Sequence, residues 1–146
     1  MAIVYLGIGS NLGDRADNIK KAIDCLNQNG INVQKLSTVI ETEPVGGPAQ
    51  GKFLNAVLEA QTDLPPQDLN AAVKLIEKDL GRQETVRNGP RIIDIDILLY
   101  DRISITTPQL TIPHPRMLER DFVMSPLKEI APDIANVLTD ENYKKR

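Results

Sequence analysis

Tryptophan is absent from this 146-residue chain, and the only aromatics are three Tyr and two Phe, so Ile, Leu, Val and Ala must fill any core. Each of the five aromatics therefore needs a specific reason to be where it is. One cysteine, Cys25, cannot close an internal disulfide or build a cysteine zinc site, and one histidine, His114, cannot make a histidine cluster. Any metal would have to be held by oxygen. The chain has no block of Lys or Arg and a net charge of −3, which argues against sequence-independent attraction to nucleic acid as the basis of function. No apolar run approaches the ~20 residues of a membrane helix. Ala2–Ile8 is short and lacks a basic flank, so it reads as a strand rather than a signal peptide. A single domain over residues 1–146, cytoplasmic, without membrane or nucleic-acid partners, is expected.

The spacing of apolar residues orders the chain. A strand over about Ile3–Ile8 runs through a Gly-rich stretch into a helix near Arg15–Gln28, where Ile19, Ala22, Ile23 and Leu26 form one stripe and Cys25 packs beside it. A strand over about Asn32–Thr42 breaks at Glu43-Pro44-Val45-Gly46-Gly47-Pro48, and a third follows over Phe53–Thr62; a connection this short makes the pair antiparallel. Pro65-Pro66 starts a helix whose stripe is Leu69, Ala72, Val73, Ile76 and Leu80, with Gly81 as its stop. A polar loop over Arg82–Arg91 leads to a strand over Ile92–Tyr100. The order βαββαβ predicts an α+β, ferredoxin-like antiparallel sheet with two helices on one face. A hairpin near Ile103–Ile105, a short helical segment after Arg116 and a solvated tail ending in Lys144-Lys145-Arg146 complete the chain.

Asp94 and Asp96 are the strongest local signal. At i and i+2 on a strand they share a face, about 6.6 Å apart along the chain, while Ile93, Ile95 and Ile97 point the other way. Two like charges inside an apolar strand need a counter-charge. Arg91 or Arg120 supplies it in a structural reading, and a divalent cation supplies it in a functional one. Few carboxylates and all-oxygen ligation suit Mg²⁺, which takes its remaining ligands from water and substrate phosphates. Arg82, Arg87, Arg91, Arg116 and Arg120 occupy loops or element ends around the pair, where guanidinium groups can hold phosphate oxygens. His114 is fixed between Pro113 and Pro115 and is either a proton donor beside phosphates or a plain loop residue. Asn55, and Glu77 at the edge of its helix stripe, have solvated or structural roles as their default readings. Gly7-Ile8-Gly9-Ser10-Asn11-Leu12-Gly13 imitates a dinucleotide fingerprint, but no βαβ unit follows, so its glycines read as turn requirements. There is no P-loop motif.

Several segments together resemble the 6-hydroxymethyl-7,8-dihydropterin pyrophosphokinase family. They are Gly9-Ser10-Asn11-Leu12-Gly13, Thr42-Glu43-Pro44, Phe53-Leu54-Asn55-Ala56, Gly89-Pro90-Arg91-Ile92-Ile93-Asp94-Ile95-Asp96, Ile112-Pro113-His114-Pro115-Arg116-Met117 and Arg120-Asp121-Phe122-Val123. The resemblance implies a ferredoxin-like enzyme of folate biosynthesis, a monomer that moves the pyrophosphoryl group of ATP to a pterin hydroxymethyl oxygen and releases AMP. It implies two Mg²⁺ ions on Asp94 and Asp96, with Arg82 and Arg91 catalytic through phosphate contacts. Glu77, Ile97, Thr111, His114 and Arg120 would complete the ATP site. The pterin would stack between Phe53 and Phe122, read by Asn55 and by groups near Thr42 and Val45. Two departures mark the loop: Asn88 stands where family members carry Trp, and Gln83-Glu84-Thr85-Val86 replaces a basic stretch. Loops at Val45–Gly51 and Arg82–Gly89 are expected to be mobile. A ferredoxin-like binding module without chemistry and a Mg²⁺-dependent phosphohydrolase are the rival readings.

Overall fold

In the computed structural model, which describes residues 1–44, 46–82 and 89–140, the first strand β1 (Ala2–Ser10) is buried along nearly its whole length. Val45, residues 83–88 with Arg87 and Asn88, and the basic tail lie outside the described residues, as do the expectations placed on them. β1 can be buried this way because its two faces meet different cores. Val4, Leu6 and Ile8 join one cluster, and Tyr5 joins the other.

Helix α1 (Arg15–Gln28) matches the expected span and is capped by the Asp14 carboxylate, which accepts the Asp17 N–H at 3.1 Å. The expected strand over Asn32–Thr42 is two strands, β2 (Ile31–Leu36) and β3 (Ile40–Thr42), both paired antiparallel to β4 (Phe53–Thr62). Leu36 faces Leu58 whereas Ile40 faces Asn55, so the edge carries one residue more than its partner. The reason lies at Ser37-Thr38. The Ser37 hydroxyl accepts the Val57 N–H at 2.9 Å, and the Thr38 N–H donates to the Glu129 carboxylate at 3.0 Å, so neither continues a plain ladder.

Helix α2 (Pro66–Asp79) begins on its proline as expected, and Gly81, at φ +99°, takes the chain out of it. Strand β5 (Asp94–Tyr100) starts two residues later than the pattern suggests. The sheet order is β2-β4-β1-β5 with all neighbours antiparallel, so each helix connects two strands that have a third between them. That is the ferredoxin-like plan, with α1 and α2 over one face.

The second face is covered too. After the hairpin β6 (Ile105–Thr106) and β7 (Thr111–Ile112) and a 3₁₀ turn at Met117–Glu119 come α3 (Asp121–Ile130) and α4 (Pro132–Thr139). Met117, Val123, Leu127, Ala135 and Leu138 bury Tyr5, Val57, Leu98 and Leu99. The expected single short segment is therefore two helices that close the core. No helix among the described residues is long and apolar enough to cross a membrane.

Two irregularities prepare the site. β5 is an edge strand, so its outer N–H groups face away from the sheet. Tyr5 faces Leu99 and Leu6 faces Ile97, so Leu98 is an extra residue without a partner on β1. Its carbonyl accepts the His114 N–H at 2.9 Å and fixes the histidine segment against the strand.

Candidate active site

The floor of the site has no side chains. Gly9 on β1 lies between Asn55 on β4 and Asp94 on β5, and Gly7 lies between Val57 and Asp96. Residues directly opposite on paired strands share a face. Asn55 and Asp94 therefore stand on either side of a bare glycine strip, about 10 Å apart at two strand spacings. A Cβ at Gly9 would overlap the Asn55 Oδ1 and crowd the Leu54 carbonyl. These glycines have extended backbone, so what they supply is space; the turn requirement expected of them falls on Gly13, at φ +73°.

Phe53 and Asn55 rise on one side of the strip, Asp94 and Asp96 on the other, and Phe122 from the first turn of α3 closes the cavity over it. Both rings are half-buried, with Phe122 packed against the margin of the second core cluster. The Asn55 Nδ2 donates to the Thr42 hydroxyl at 2.6 Å, which turns its Oδ1 over Gly9.

A second cavity, of about 390 Å³, lies beyond the free edge of β5. It falls in the range that small-molecule sites occupy. Asn70, Lys74 and Glu77 line it from α2, with Arg82, Ile97 and Gln109. Arg91, Asp94, Asp96, His114 and Arg120 line both cavities, so the aspartate pair stands where an aromatic compartment meets a polar one.

The charges around that junction are tightly arranged. Glu77, only 7% exposed, is not the solvated glutamate of the sequence reading. Its Oε2 accepts the edge N–H of Ile95 at 2.8 Å and the Arg82 Nη1 at 2.6 Å. The same Arg82 nitrogen donates to the Asp94 Oδ1 at 3.0 Å, and Arg91 lies 3.6 Å from the other Asp94 oxygen. Burial raises the Glu77 pKa, against the pull of the Ile95 N–H and of Arg82. Asp96 is pushed up to about 7, by burial first and then by the charges of Asp94 and Glu77. Burial, reinforced by Arg120, lowers the His114 pKa, so the imidazole is neutral at pH 7. Its Nδ1 accepts the Arg116 N–H at 3.2 Å, which places the ring proton on Nε2.

Asn11, 6% exposed, ties two flanking segments together. Its backbone N–H donates to the Arg91 carbonyl at 3.0 Å while its Oδ1 accepts the Arg91 N–H at 2.8 Å. Its Nδ2 donates to the Gln50 Oε1 and to the Gly51 carbonyl.

The structure thus brings together Thr42, Phe53, Asn55 and Phe122 in one compartment and Glu77, Arg82 and Ile97 in the other, with Arg91, Asp94, Asp96, His114 and Arg120 shared. Thr111 sits in β7 and lines neither cavity, although its neighbour Leu110 lines the polar one. Arg116 does not join the arginine group; it is exposed and lies 3.9 Å from Glu119. Val45 and Arg87 lie outside the described residues. Sequence reasoning read Gly9 as a turn glycine, quoted Asn11 only within a motif, and passed over Asn70 and Lys74. Asn70, Lys74 and Glu77 recur at i, i+4 and i+7 along α2, a polar stripe that could have been read beside the apolar one.

Comparison with known proteins yields a consistent set of likenesses. The family described as 7,8-dihydro-6-hydroxymethylpterin-pyrophosphokinase matches residues 5–132. The 2-amino-4-hydroxy-6-hydroxymethyldihydropteridine pyrophosphokinase of Aquifex aeolicus (strain VF5) is 50% identical over 145 residues, covering 99% of this chain and 90% of that relative. The Bacillus subtilis (strain 168) protein of the same name is 45% identical over 138 residues, covering 94% and 83% respectively. Among solved structures, a Plasmodium falciparum HPPK-DHPS shares the fold with a TM-score of 0.71 at 16% identity, over 90% of this chain and 42% of that one.

Proposed function

The chain belongs to the 7,8-dihydro-6-hydroxymethylpterin-pyrophosphokinase family of folate biosynthesis, and on that premise we propose that its two cavities divide the substrates at the aspartate pair. The aromatic compartment takes the pterin and the polar one takes ATP. The observation that carries this reading is the glycine strip, which leaves open floor between Asn55 and the two carboxylates.

The donor set suits Mg²⁺. No group of three or more His, Cys, Asp or Glu side chains able to hold a metal occurs among the described residues, which disfavours an all-protein cage. Two carboxylates on one strand face, beside a polar cavity sized for a ligand, instead fit a cation that shares its coordination with phosphates and water. When bound on Asp94 and Asp96, Mg²⁺ would neutralise charge on the phosphate chain and align it for in-line displacement.

This chain's own residues do the rest. Arg82 and Arg91 lie beside Asp94 and reach phosphate oxygens from the polar cavity, and His114, which lines the same cavity, adds a neutral Nε2–H donor. Phe53 and Phe122 stack the flat pterin ring, and the Asn55 Oδ1 accepts a ring N–H. The pterin hydroxymethyl oxygen is thereby held toward Asp94 and Asp96. It attacks the β-phosphorus, the bond from that phosphorus to the α,β-bridging oxygen breaks, and AMP departs with the bond electrons. The hydroxyl proton is released in the same transfer. All these residues come from one chain, and the enzyme is read as a cytoplasmic monomer.

The test is a product assay with ATP, Mg²⁺ and 6-hydroxymethyl-7,8-dihydropterin. AMP formation that requires the pterin and disappears with EDTA supports the assignment. Phosphate release without pterin, or transfer that ignores EDTA, would overturn it. The floor makes a separate prediction. Gly9→Ala should raise the pterin Kd by about tenfold, because displacing Asn55 costs roughly one buried hydrogen bond. ATP affinity should stay within about twofold, since Gly9 lines only the aromatic compartment. Unchanged pterin binding in that variant would remove Asn55 from the recognition role.

A further inference from the structure

Arg120 occupies a position that neither compartment alone explains. Its guanidinium carbon lies 5.5 Å from the centre of the Phe122 ring. It lines both cavities, and its charge is felt at Asp96 and at His114. It directly precedes α3, of which Phe122 is the second residue, so the two side chains leave the same short stretch of backbone. Arg116, in the neighbouring segment, does none of this and turns to Glu119 instead.

A guanidinium can serve two partners at once without compromise. Its flat face stacks on an aromatic ring while its five N–H groups point outward in the plane, where they meet phosphate oxygens. A lysine ammonium has no such plane. Attraction of a guanidinium to a ring is worth about three- to thirtyfold in an equilibrium, depending on how far water is excluded.

We propose, resting on the division of substrates given above, that Arg120 is a positioning residue through which the two substrates reinforce each other. Nucleotide phosphates take its in-plane donors and fix the guanidinium, and the guanidinium fixes the Phe122 ring on which the pterin stacks. The reinforcement is reciprocal, because any factor by which nucleotide tightens pterin binding must equally tighten nucleotide binding in the presence of pterin.

The experiment measures the Kd of 6-hydroxymethylpterin by fluorescence, with and without saturating α,β-methylene-ATP and Mg²⁺. That nucleotide cannot be cleaved at the reacting bridge. Wild-type enzyme should bind the pterin at least about fivefold more tightly with nucleotide, in line with the range for coupled sites. Arg120→Ala should reduce that factor to near one. Arg120→Lys, which keeps the charge and the fold, should hold nucleotide yet lose most of the reinforcement. Arg116→Ala, removing the same charge from a nearby position, should keep the wild-type factor. A wild-type factor of one, or a full factor in both Arg120 variants, would overturn the inference while leaving the substrate assignment intact. Failure of wild-type enzyme to bind the pterin under any condition would overturn the assignment itself and the inference with it.

Discussion

Asp96→Asn should cost at least about a thousandfold in turnover, some 4 kcal/mol of transition-state stabilisation, and yet yield a protein more stable than wild type at pH 8 without metal. The two halves of this result have one cause. In the folded chain the Asp96 carboxyl is pushed up to about 7 from its ordinary 3.8, so folding holds a proton that the unfolded chain has released. The contribution to stability is whole below pH 3.8 and is lost as pH rises through about 7. Above that window the buried charge is a burden. Asparagine lifts it, with a gain on the order of 1–3 kcal/mol for the isolated protein. Thermal melts of both proteins in EDTA at pH 5 and pH 8 check the sign: the gap should widen from the lower pH to the higher. The same competition predicts that Mg²⁺ binding to wild type weakens below pH 7, because proton and cation want the same oxygens. A variant less stable than wild type at pH 8, with activity retained, would return Asp96 to a structural role.

Glu77→Ala should destabilise the fold by about 2–4 kcal/mol, because it strands the Ile95 N–H on a sheet edge and takes from Arg82 the shorter of its two carboxylate contacts among the described residues. Glu77→Gln should behave differently. The pKa of Glu77 is raised, which means that burial outweighs the attraction of Arg82 and that the charge itself does not stabilise the fold at neutral pH. A glutamine keeps an acceptor for Ile95 and drops the charge, so its cost should stay within about 1 kcal/mol. Urea unfolding at pH 7 separates the two. If Gln costs as much as Ala, the ion pair with Arg82 is what matters, and the reading of Glu77 as a cap for the strand edge is wrong.

How far the sequence could be read depended on the range of the forces involved. Helix α1 and strand β4 were legible to the residue because their boundaries are set locally, by Asp14 at one end and by the Pro- and Gly-rich flanks of β4. The break between β2 and β3 was not legible, since it depends on Glu129, 91 residues away, taking the Thr38 N–H. The sequence reading placed only a short helical segment after Arg116, whereas α3 runs on through Pro126. In the structure that proline costs only the bond to the Phe122 carbonyl in the first turn, while Val123 and Leu127 bury the helix. The aspartate pair was legible as a pattern because strand alternation puts i and i+2 on one face, whereas Phe53 and Phe122, on a strand and a helix far apart in the chain, were reached only through the family resemblance. Glu77 was misread because helix periodicity reports which side faces a core, and says nothing of a neighbouring strand edge that needs an acceptor. Gly9 was read as a turn glycine for a related reason: its value lies in what Asn55, across the sheet, would otherwise collide with.

The placement of the floor has a bearing on how the enzyme fails when heated. β1 is paired along both edges from Val4 to Gly9, so its central amides have no partial opening that frees them short of parting the sheet. The strip that separates the reacting groups should thus exchange its amide protons among the slowest in the protein. Catalytic competence and global folding should then be lost at one temperature, and an inactive protein with its sheet still intact should not accumulate on warming.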